Sequence, residues 1–328
     1  MNRLNKLKNQ NSAPVSSEEP ALKGFFNENK FPLLVQPSNP NTGLKNWLIE
    51  NNEYFNTCLS ENGAILCRNF EIDTVEKFQD LVSVFDQPLL EYKFRSSPRH
   101  SIMENVYVST TYPNSYSINM HSENSYAPVP PNRIIFCCII PATLKGETPI
   151  ADNRKVLEYI SDDLRNKFLE KGILYRRRMN GMLGLSWKEV FQTENKNEVE
   201  QECEKNGITY EWLDDNDLVI NWKKKAIIEH PVTKELIWFN HGVFFNKYSY
   251  DEVLLSAIES DDELPNNTYF GDGQEITKEE YSELYEAYQK ATIDFPWEKG
   301  DVLFLDNYLS SHGRNAYEGE RKIIVSIC

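Results

Sequence analysis

The chain has 328 residues, of which 40% are hydrophobic and 12% aromatic, so it can bury a large core. It carries 35 Lys and Arg against 50 Asp and Glu, a formal net charge of −15. Most of its surface would therefore repel a nucleic-acid backbone or an anionic membrane. We expect neither partner, and a small molecule is the more suitable ligand.

Residues 1–24 are polar and rich in Asn, Ser and Lys, which predicts a mobile arm ahead of a single domain over 25–328. The arm lacks the apolar centre of a secretory signal, and no run of about 18 apolar residues occurs in the chain. We therefore expect a cytoplasmic protein. The cysteines are scattered without a C-x-x-C pair, and we expect buried free thiols at Cys58, Cys67, Cys137, Cys138, Cys203 and Cys328.

The first part of the domain mixes helical and strand-like patterns. "TGLKNWLIENNEYFNTCLSENG" predicts a helix that Thr42 caps and Gly63 ends. Residues 64–70, "AILCRNF", predict a buried strand, and 74–85, "TVEKFQDLVSVF", predict a second helix. The run "RIIFCCII" at 133–140 is apolar on both faces, which indicates a central strand.

Helical patterns dominate the middle of the chain. "ADNRKVLEYISDDLRNKFLEKG" predicts one helix, capped by Asp152 or Asn153 and ended by Gly172. Residues 186–208 are also helical in pattern and heavily charged. A further helix over 277–290 opens with a capping box.

Two strand-like runs, "GDVLFLDN" and "RKIIVSIC", close the chain. Strands therefore come first and last, and helices lie between them. This order favours an α+β, mainly β architecture: an antiparallel sandwich or barrel with helical insertions. The charged segment 176–225 is predicted to be a helical insertion that folds over a pocket as a lid.

The stretch "NMHSENSY" contains a candidate metal site in a chain with only 5 histidines. In a strand, residues i and i+2 share a face, so His121 and Glu123 can converge on one point. His312 follows an apolar run and is the best third ligand. Alone, an H-x-E pair more often arises by chance. Two imidazoles and one carboxylate suit non-haem Fe(II), with open positions for a chelating cosubstrate and O₂.

The segments "HSENSY", "GETPIAD" (146–152) and "DNYLSSHGRNAYEGERKIIVSI" resemble the taurine dioxygenase (TauD/TfdA) family of iron- and 2-oxoglutarate-dependent oxygenases. They are most similar to the syringomycin-type amino-acid hydroxylases and the clavaminate synthase-like branch. The resemblance implies a double-stranded β-helix, or jelly-roll, core with helical insertions. It also implies that His121, Glu123 and His312 are the iron ligands.

The resemblance extends to the cosubstrate 2-oxoglutarate. A family threonine that contacts it corresponds to Thr148. A family arginine that pairs with its far carboxylate corresponds to Arg321, and a guanidinium suits that task because it binds a carboxylate with two parallel hydrogen bonds. The spacing varies between branches, so Arg314 competes with Arg321, and Lys322 is a third candidate.

The implied reaction uses Fe(II), 2-oxoglutarate and O₂ to hydroxylate an unactivated C–H bond. The substrate would be an amino acid, free or tethered to a carrier protein, in specialised metabolism such as antibiotic biosynthesis. Related halogenases replace the carboxylate ligand with a small residue, so Glu123 favours hydroxylation over halogenation. The alternatives are desaturation or epoxidation within the family, a zinc hydrolase, and a non-catalytic jelly-roll binding protein.

Several other polar residues have both a functional and a purely structural interpretation. Ser117 and Asn119 share the inward face with the metal pair and are candidates for the pocket. Arg95 and Arg99 are candidates for binding a substrate carboxylate, although a solvated loop is the default. His241 is expected to be a hydrogen-bonded core histidine.

The remaining polar positions are expected to be structural. Arg176–Arg178 are expected to form a solvated face. Trp297 and Asp301 are interpreted as structural residues. Asp306 is a candidate for orienting an imidazole.

Overall fold

The computed structural model describes residues 21–25, 31–39, 42–85, 101–104, 106–110 and 112–328. Most of the predicted N-terminal arm therefore lies outside the described residues. Its last four residues belong to a strand over Ala21–Phe25 that pairs with Leu33–Pro37, so the predicted boundary at residue 24 falls inside an element of the fold.

The described strands are, in chain order, β1 (Ala21–Phe25), β2 (Leu33–Pro37), β3 (Ala64–Cys67), β4 (Ser101–Met103), β5 (Val106–Val108), β6 (Ile118–His121), β7 (Arg133–Ile140), β8 (Leu144–Lys145), β9 (Ile150–Asp152), β10 (Ile173–Met179), β11 (Thr209–Trp212), β12 (Leu218–Lys224), β13 (Ile227–Glu229), β14 (Leu236–Trp238), β15 (Asn266–Phe270), β16 (Thr292–Ile293), β17 (Val302–Asp306), β18 (Ser310–Arg314), β19 (Tyr317–Glu318) and β20 (Lys322–Ile327). The α-helices are α1 (Leu44–Glu50), α2 (Asn52–Asn62), α3 (Val75–Val82), α4 (Asn153–Tyr159), α5 (Asp162–Lys171), α6 (Trp187–Phe191), α7 (Lys196–Lys205), α8 (Gly242–Phe245), α9 (Glu252–Ala257) and α10 (Lys278–Ala291).

Two sheets form the jelly-roll core. Within the described residues, one has eight strands in the order β1-β2-β3-β17-β7-β20-β5-β4, and the other has four in the order β16-β9-β18-β6. Ile150 of β9 packs in one apolar cluster with Phe136 of β7 and Val325 of β20. The two sheets therefore face each other across that cluster, as the sandwich prediction requires.

The packing of strand β7 explains why every residue after Arg133 is apolar. Side chains alternate across a strand, and Phe136 packs in the cluster between the sheets, whereas Ile135 and Cys137 pack in a second cluster with Trp47 and Phe55 of α1 and α2. Both faces are thus buried. The prediction of a central strand is confirmed, because β7 lies between β17 and β20.

Two predicted helices are each broken into a pair. The first ends at the αL residue Gly63, as predicted, but it bends at Asn51 between α1 and α2. The second is interrupted at Ile160, whose backbone is extended, and Ser161 caps a new helix, α5. The sequence Ser-Asp-Asp at 161–163 is itself a helix start signal, and it outweighs the continuous apolar stripe.

The prediction of a helical insertion over 176–225 is wrong in its secondary structure. Helices α6 and α7 occur there, but β10, β11 and β12 form most of a four-stranded sheet, ordered β11-β12-β10-β15. The β-strands at both ends of the segment pair with each other over residues 173–179 and 218–224. Long-range pairing thus decided the structure, and a local pattern does not carry that information.

Helix α10 begins with the predicted capping box. Thr277 Oγ1 accepts a hydrogen bond from the Glu280 amide at 3.2 Å, and the Glu280 carboxylate accepts one from the Thr277 amide at 2.9 Å. We expect Thr277→Ala to lower the free energy of unfolding by about 1 kcal/mol, measured by urea denaturation. Thr277→Ser keeps the hydroxyl and is the matched control. Equal stabilities for the alanine and serine variants would contradict the assignment.

Candidate active site

The three predicted metal ligands lie together. Strands β6 and β18 pair so that His121 is directly opposite His312, and Glu123 follows two residues after His121. One Glu123 carboxylate oxygen lies 4.0 Å from His121 Nε2 and 3.9 Å from His312 Nε2. One donor atom from each residue lies within 4.8 Å of the others. Two imidazoles and a carboxylate so arranged fit a divalent ion and leave part of its coordination sphere open.

Backbone contacts fix how these ligands are presented. His121 Nδ1 lies 2.8 Å from the carbonyl oxygen of Asn119. A carbonyl only accepts, so Nδ1 carries the proton and Nε2 keeps its lone pair for a metal. The Asn307 side chain accepts a hydrogen bond from the Glu123 amide at 2.7 Å and donates to the carbonyls of Glu123 and Pro131 at 2.9 and 2.8 Å. It therefore holds the turn that carries the carboxylate ligand.

His241 lies beside the triad. Its ring meets that of His121 edge-on at 5.3 Å, and its Nδ1 is 3.0 Å from Ser125 Oγ. Burial, followed by the charge of His121, holds the pKa of His241 well below its ordinary value. A neutral, buried and hydrogen-bonded imidazole agrees with the predicted core histidine.

A cavity of about 390 Å³ opens in front of the triad. Ser117 and Asn119, both predicted for the pocket, line it. The apolar part of its wall comes from several elements and includes Phe136, Leu183, Leu185, Phe244, Phe245 and Val325. It combines open metal positions with an apolar wall, as small-molecule sites do.

Thr148 and Arg321 lie side by side in this cavity. Arg321 Nη2 donates to Thr148 Oγ1 at 3.2 Å, and its Nε donates to the Gly146 carbonyl at 2.8 Å. Trp297 Nε1 also donates to Thr148 Oγ1, at 3.1 Å. Because this hydroxyl oxygen accepts twice, its own hydrogen is left to donate. Burial, followed by the nearby charge of Arg314, lowers the pKa of Arg321 to about 10, so it is a cation at neutral pH.

Arg314, the competing candidate for the cosubstrate, makes its contacts with the backbone. Its guanidinium donates to the backbone carbonyls of Tyr112, Pro113 and Tyr116. It lines the cavity and is 3% exposed, but those contacts direct it to the loop over residues 112–116. Lys322 lies on β20 and is not among the described residues that line the cavity.

The hydrogen bonds of Asp306 and Asp301 define their roles. Asp306 does not orient a ligand imidazole, because its carboxylate lies 3.2 Å from His230 Nε2 and accepts from the backbone of residues 308 and 309. Asp301, interpreted as structural, forms a two-pronged ion pair with Arg68 at 2.9 and 2.7 Å. Arg95 and Arg99 lie outside the described residues.

The predicted solvated face at Arg176–Arg178 is wrong at its centre. Arg177 is 4% exposed and lines the cavity. It was missed because three consecutive arginines look uniformly polar. The signal was strand alternation: in "ILYRRRM" the buried positions are 173, 175, 177 and 179, so the central arginine takes a core position.

A jelly roll with two histidines and a glutamate converging at the mouth of a cavity defines a class of metal-dependent enzymes. Residues 35–328 match the family described as taurine catabolism dioxygenase TauD, TfdA family. The chain belongs to this family, as predicted, and is a non-haem Fe(II)- and 2-oxoglutarate-dependent dioxygenase.

Two curated relatives are similar along most of their length. The dapdiamide synthesis protein DdaC of Enterobacter agglomerans is 41% identical over 273 residues, which cover 82% of this chain and 83% of DdaC. A clavaminate synthase-like protein of Arabidopsis thaliana is 27% identical over 286 residues, 84% of each chain. The second match agrees with the predicted resemblance to the clavaminate synthase-like branch.

Solved structures confirm the predicted fold class. PvcB, described as an Fe, alpha-ketoglutarate dependent oxygenase from an isonitrile synthetic pathway, aligns with a TM-score of 0.57 at 13% identity, over 95% of this chain and 92% of PvcB. AAD-2 in complex with Mn(II) and N-oxalylglycine aligns with a TM-score of 0.55 at 14% identity, over 94% and 96% of the two chains. Among the helices of the described residues, none has the length and apolar character to cross a membrane.

The Asn307 contacts generate a prediction for metal binding. Asn307→Ala leaves buried groups around Glu123 without partners, each at a cost of about 1–3 kcal/mol. We expect lower thermal stability and a metal affinity lowered about 10- to 100-fold, measured by Mn(II) titration with electron paramagnetic resonance. Asn132→Ala, an exposed change of the same type close by, should alter neither. Unchanged Mn(II) affinity in Asn307→Ala would show that this amide does not position the ligand.

Proposed function

We propose that this enzyme hydroxylates an unactivated C–H bond of an amino-acid-like small molecule in the biosynthesis of a specialised metabolite. DdaC and PvcB, which belong by their descriptions to dapdiamide synthesis and to an isonitrile pathway, support this biosynthetic setting. The observation that carries the chemistry is the Thr148 and Arg321 pair in the same cavity as the triad.

His121, Glu123 and His312 are the proposed ligands of Fe(II). When bound, the iron and 2-oxoglutarate supply the oxidising power for attack on a C–H bond, using O₂. The protein contributes the open half of the coordination sphere, the ligand tautomer set by the Asn119 carbonyl, and an apolar wall that limits water at the reacting carbon.

Arg321 and Thr148 are the proposed 2-oxoglutarate residues. A buried guanidinium is stabilised by an anion, and a planar carboxylate matches its geometry. The Thr148 hydroxyl can add one donated hydrogen bond, because its oxygen already accepts from Trp297 and Arg321. Arg314 is the weaker candidate, since its two terminal nitrogens already donate to three backbone carbonyls.

The alternative functions, a zinc hydrolase or a non-catalytic binding protein, fit the residues of the cavity less well. A zinc hydrolase has no use for a buried arginine and threonine next to an open metal site, and a binding protein has no use for open metal positions. Desaturation and epoxidation share the same residues. The product's mass distinguishes desaturation, which removes two hydrogen atoms, from hydroxylation, which adds one oxygen atom.

Anaerobic titration with Fe(II) and 2-oxoglutarate tests the assignment. We expect the weak visible charge-transfer band of the chelate in the wild-type protein and its loss in His121→Ala and His312→Ala. In Arg321→Ala the apparent Kd for 2-oxoglutarate should rise about 10- to 100-fold, because charge-assisted hydrogen bonds contribute about 1.5–3 kcal/mol. Arg314→Ala is the matched comparison and should raise it less. The reverse order would transfer the role to Arg314, and the absence of any band in wild type would refute the proposed function.

We also propose that the turn at residues 180–186 acts as the lid within the 176–225 insertion. Leu183, Gly184 and Leu185 line the cavity, whereas Met182 on the same turn is 84% exposed. Contact with the cavity and exposure to solvent within one short turn are typical of a segment that closes over a ligand.

Limited chymotrypsin digestion tests this lid. Mn(II) and N-oxalylglycine should slow cleavage at residues 182–185, while cleavage after Leu213, which is 48% exposed on a turn that does not line the cavity, should keep its rate. Equal rates with and without the ligands at both places would rule out closure over the cosubstrate.

A further inference from the structure

The turn that follows strand β6 carries Glu123 and is buried along residues 122–127. Asn124, directly after Glu123, has a φ of 49°, a backbone conformation that is uncommon for residues other than glycine. The turn lies outside the strand ladders, so other donors must satisfy its buried carbonyl groups. The groups that supply those donors therefore decide how firmly the Glu123 carboxylate is held.

Two side chains of strand β12 supply donors to this turn. Lys224 Nζ donates to the carbonyl oxygens of Ser125 and Ala127 at 3.0 and 2.5 Å. Trp222 Nε1 donates to the carbonyl oxygen between them, that of Tyr126, at 2.8 Å. Alternate residues of a strand share a face, so one face of β12 binds three consecutive carbonyl groups of the turn.

The side chain of Lys224 is a costly choice for this position. Burial lowers its pKa to about 8, so it is mainly protonated at neutral pH. Its acceptors among the described residues are carbonyl oxygens and not a carboxylate, and an apolar side chain of similar length would avoid the loss of hydration. An ammonium group, however, has three donors and can bridge two acceptors. The bridge thus fixes the conformation of the turn at some cost in stability.

Strand β12 is itself anchored in the insertion sheet, between β10 and β11. The Trp222 ring stacks on that of Tyr175 at 5.1 Å, and Tyr175 Oη accepts a hydrogen bond from the His241 amide at 2.9 Å. His241 Nδ1 in turn lies 3.0 Å from Ser125 Oγ. The insertion sheet therefore reaches the turn by two routes, while Asn307 holds it from the jelly-roll side.

We propose that Lys224 and Trp222 are positioning residues of the metal centre, which fix the turn that presents the Glu123 carboxylate. Neither is among the described residues that line the cavity, so their effect reaches the metal through the turn. The metal coordination thus depends on the four-stranded sheet as well as on the jelly roll. This inference rests on the proposed function, because it requires Glu123 to be a metal ligand.

The affinity of the full-length protein for Zn(II), measured by competition with a chromophoric chelator, tests the proposal. Zn(II) suits imidazole ligands, so it can also be measured when the carboxylate is removed. Lys224→Met nearly keeps the length of the side chain and removes its donors, and it should weaken Zn(II) binding about tenfold or more. Lys223→Met, the same change at an exposed position of the opposite face, should leave the affinity within about twofold.

A double-mutant cycle separates positioning from general damage to the fold. In a Glu123→Ala background, Lys224→Met should change the Zn(II) affinity by less than about twofold, because the ligand through which it acts is gone. An equal loss of affinity in both backgrounds, or no loss in the wild-type background, overturns the proposal.

Trp222→Phe provides a second variant in case Lys224→Met does not fold. It keeps an aromatic ring and removes one donor, and it should weaken Zn(II) binding about threefold; an unchanged affinity overturns the proposal. Failure of wild type to bind Zn(II), or equal binding by wild type and Glu123→Ala, would instead refute the proposed function and this inference with it, so the two failures are distinguishable.

Discussion

The site depends on the close pairing of β6 with β18. This pairing sets His121 opposite His312 and so brings two imidazoles from distant segments of the chain to one point. Gly313 permits it: a Cβ at that position would lie 2.6 Å from the Ile118 carbonyl and 3.1 Å from Met120 Sδ. A larger residue would therefore push the strands apart beside one of the ligands. The glycine in "SSHGR" is thus a requirement of the metal geometry and not of a turn.

Sequence alone predicted the parts of this protein whose signals are local. The H-x-E spacing, the cap of α10 and the doubly apolar β7 each follow from a few neighbouring residues, and the structure agrees with them. His312 was ranked as the third candidate ligand from the apolar run before it, and the family resemblance then supported that choice; no local pattern by itself links residues 121 and 312. Asn307 is a residue whose role a local sequence pattern does not predict. Its importance comes from contacts with Glu123 across the fold, and an asparagine near a strand end looks like an ordinary turn residue.

The insertion was the hardest region to predict, for a physical reason. Strand β10 carries Arg176 and Arg178 on its outer face and pairs with β12 and β15 over long sequence separations, so neither hydrophobicity nor local propensity identifies it as a strand. The run of three arginines hides a core position, since alternation assigns the middle residue to the interior only once the segment is known to be a strand. An error in secondary structure thus became an error in burial, because Arg177 was assigned to solvent and is in fact buried in the cavity lining.

The cavity lining is divided between the jelly-roll core and the four-stranded sheet β11-β12-β10-β15. The jelly-roll core supplies the proposed metal ligands, on β6, just after β6 and on β18, and the proposed cosubstrate residues, just before β9 and just before β20. The four-stranded sheet of the insertion supplies Arg177 from the other side. The first set must keep its geometry for any substrate, since it serves the chemistry that all substrates share. Within the described residues the strands of the second set pair with one another, but Trp222 and Lys224 of β12 donate to backbone carbonyls of residues 125–127, directly after Glu123, so the two sets are in contact. Solved structures with only 13–14% identity align over almost the whole chain, and a shared fold of this kind leaves substrate choice to the residues that each protein places around the common centre.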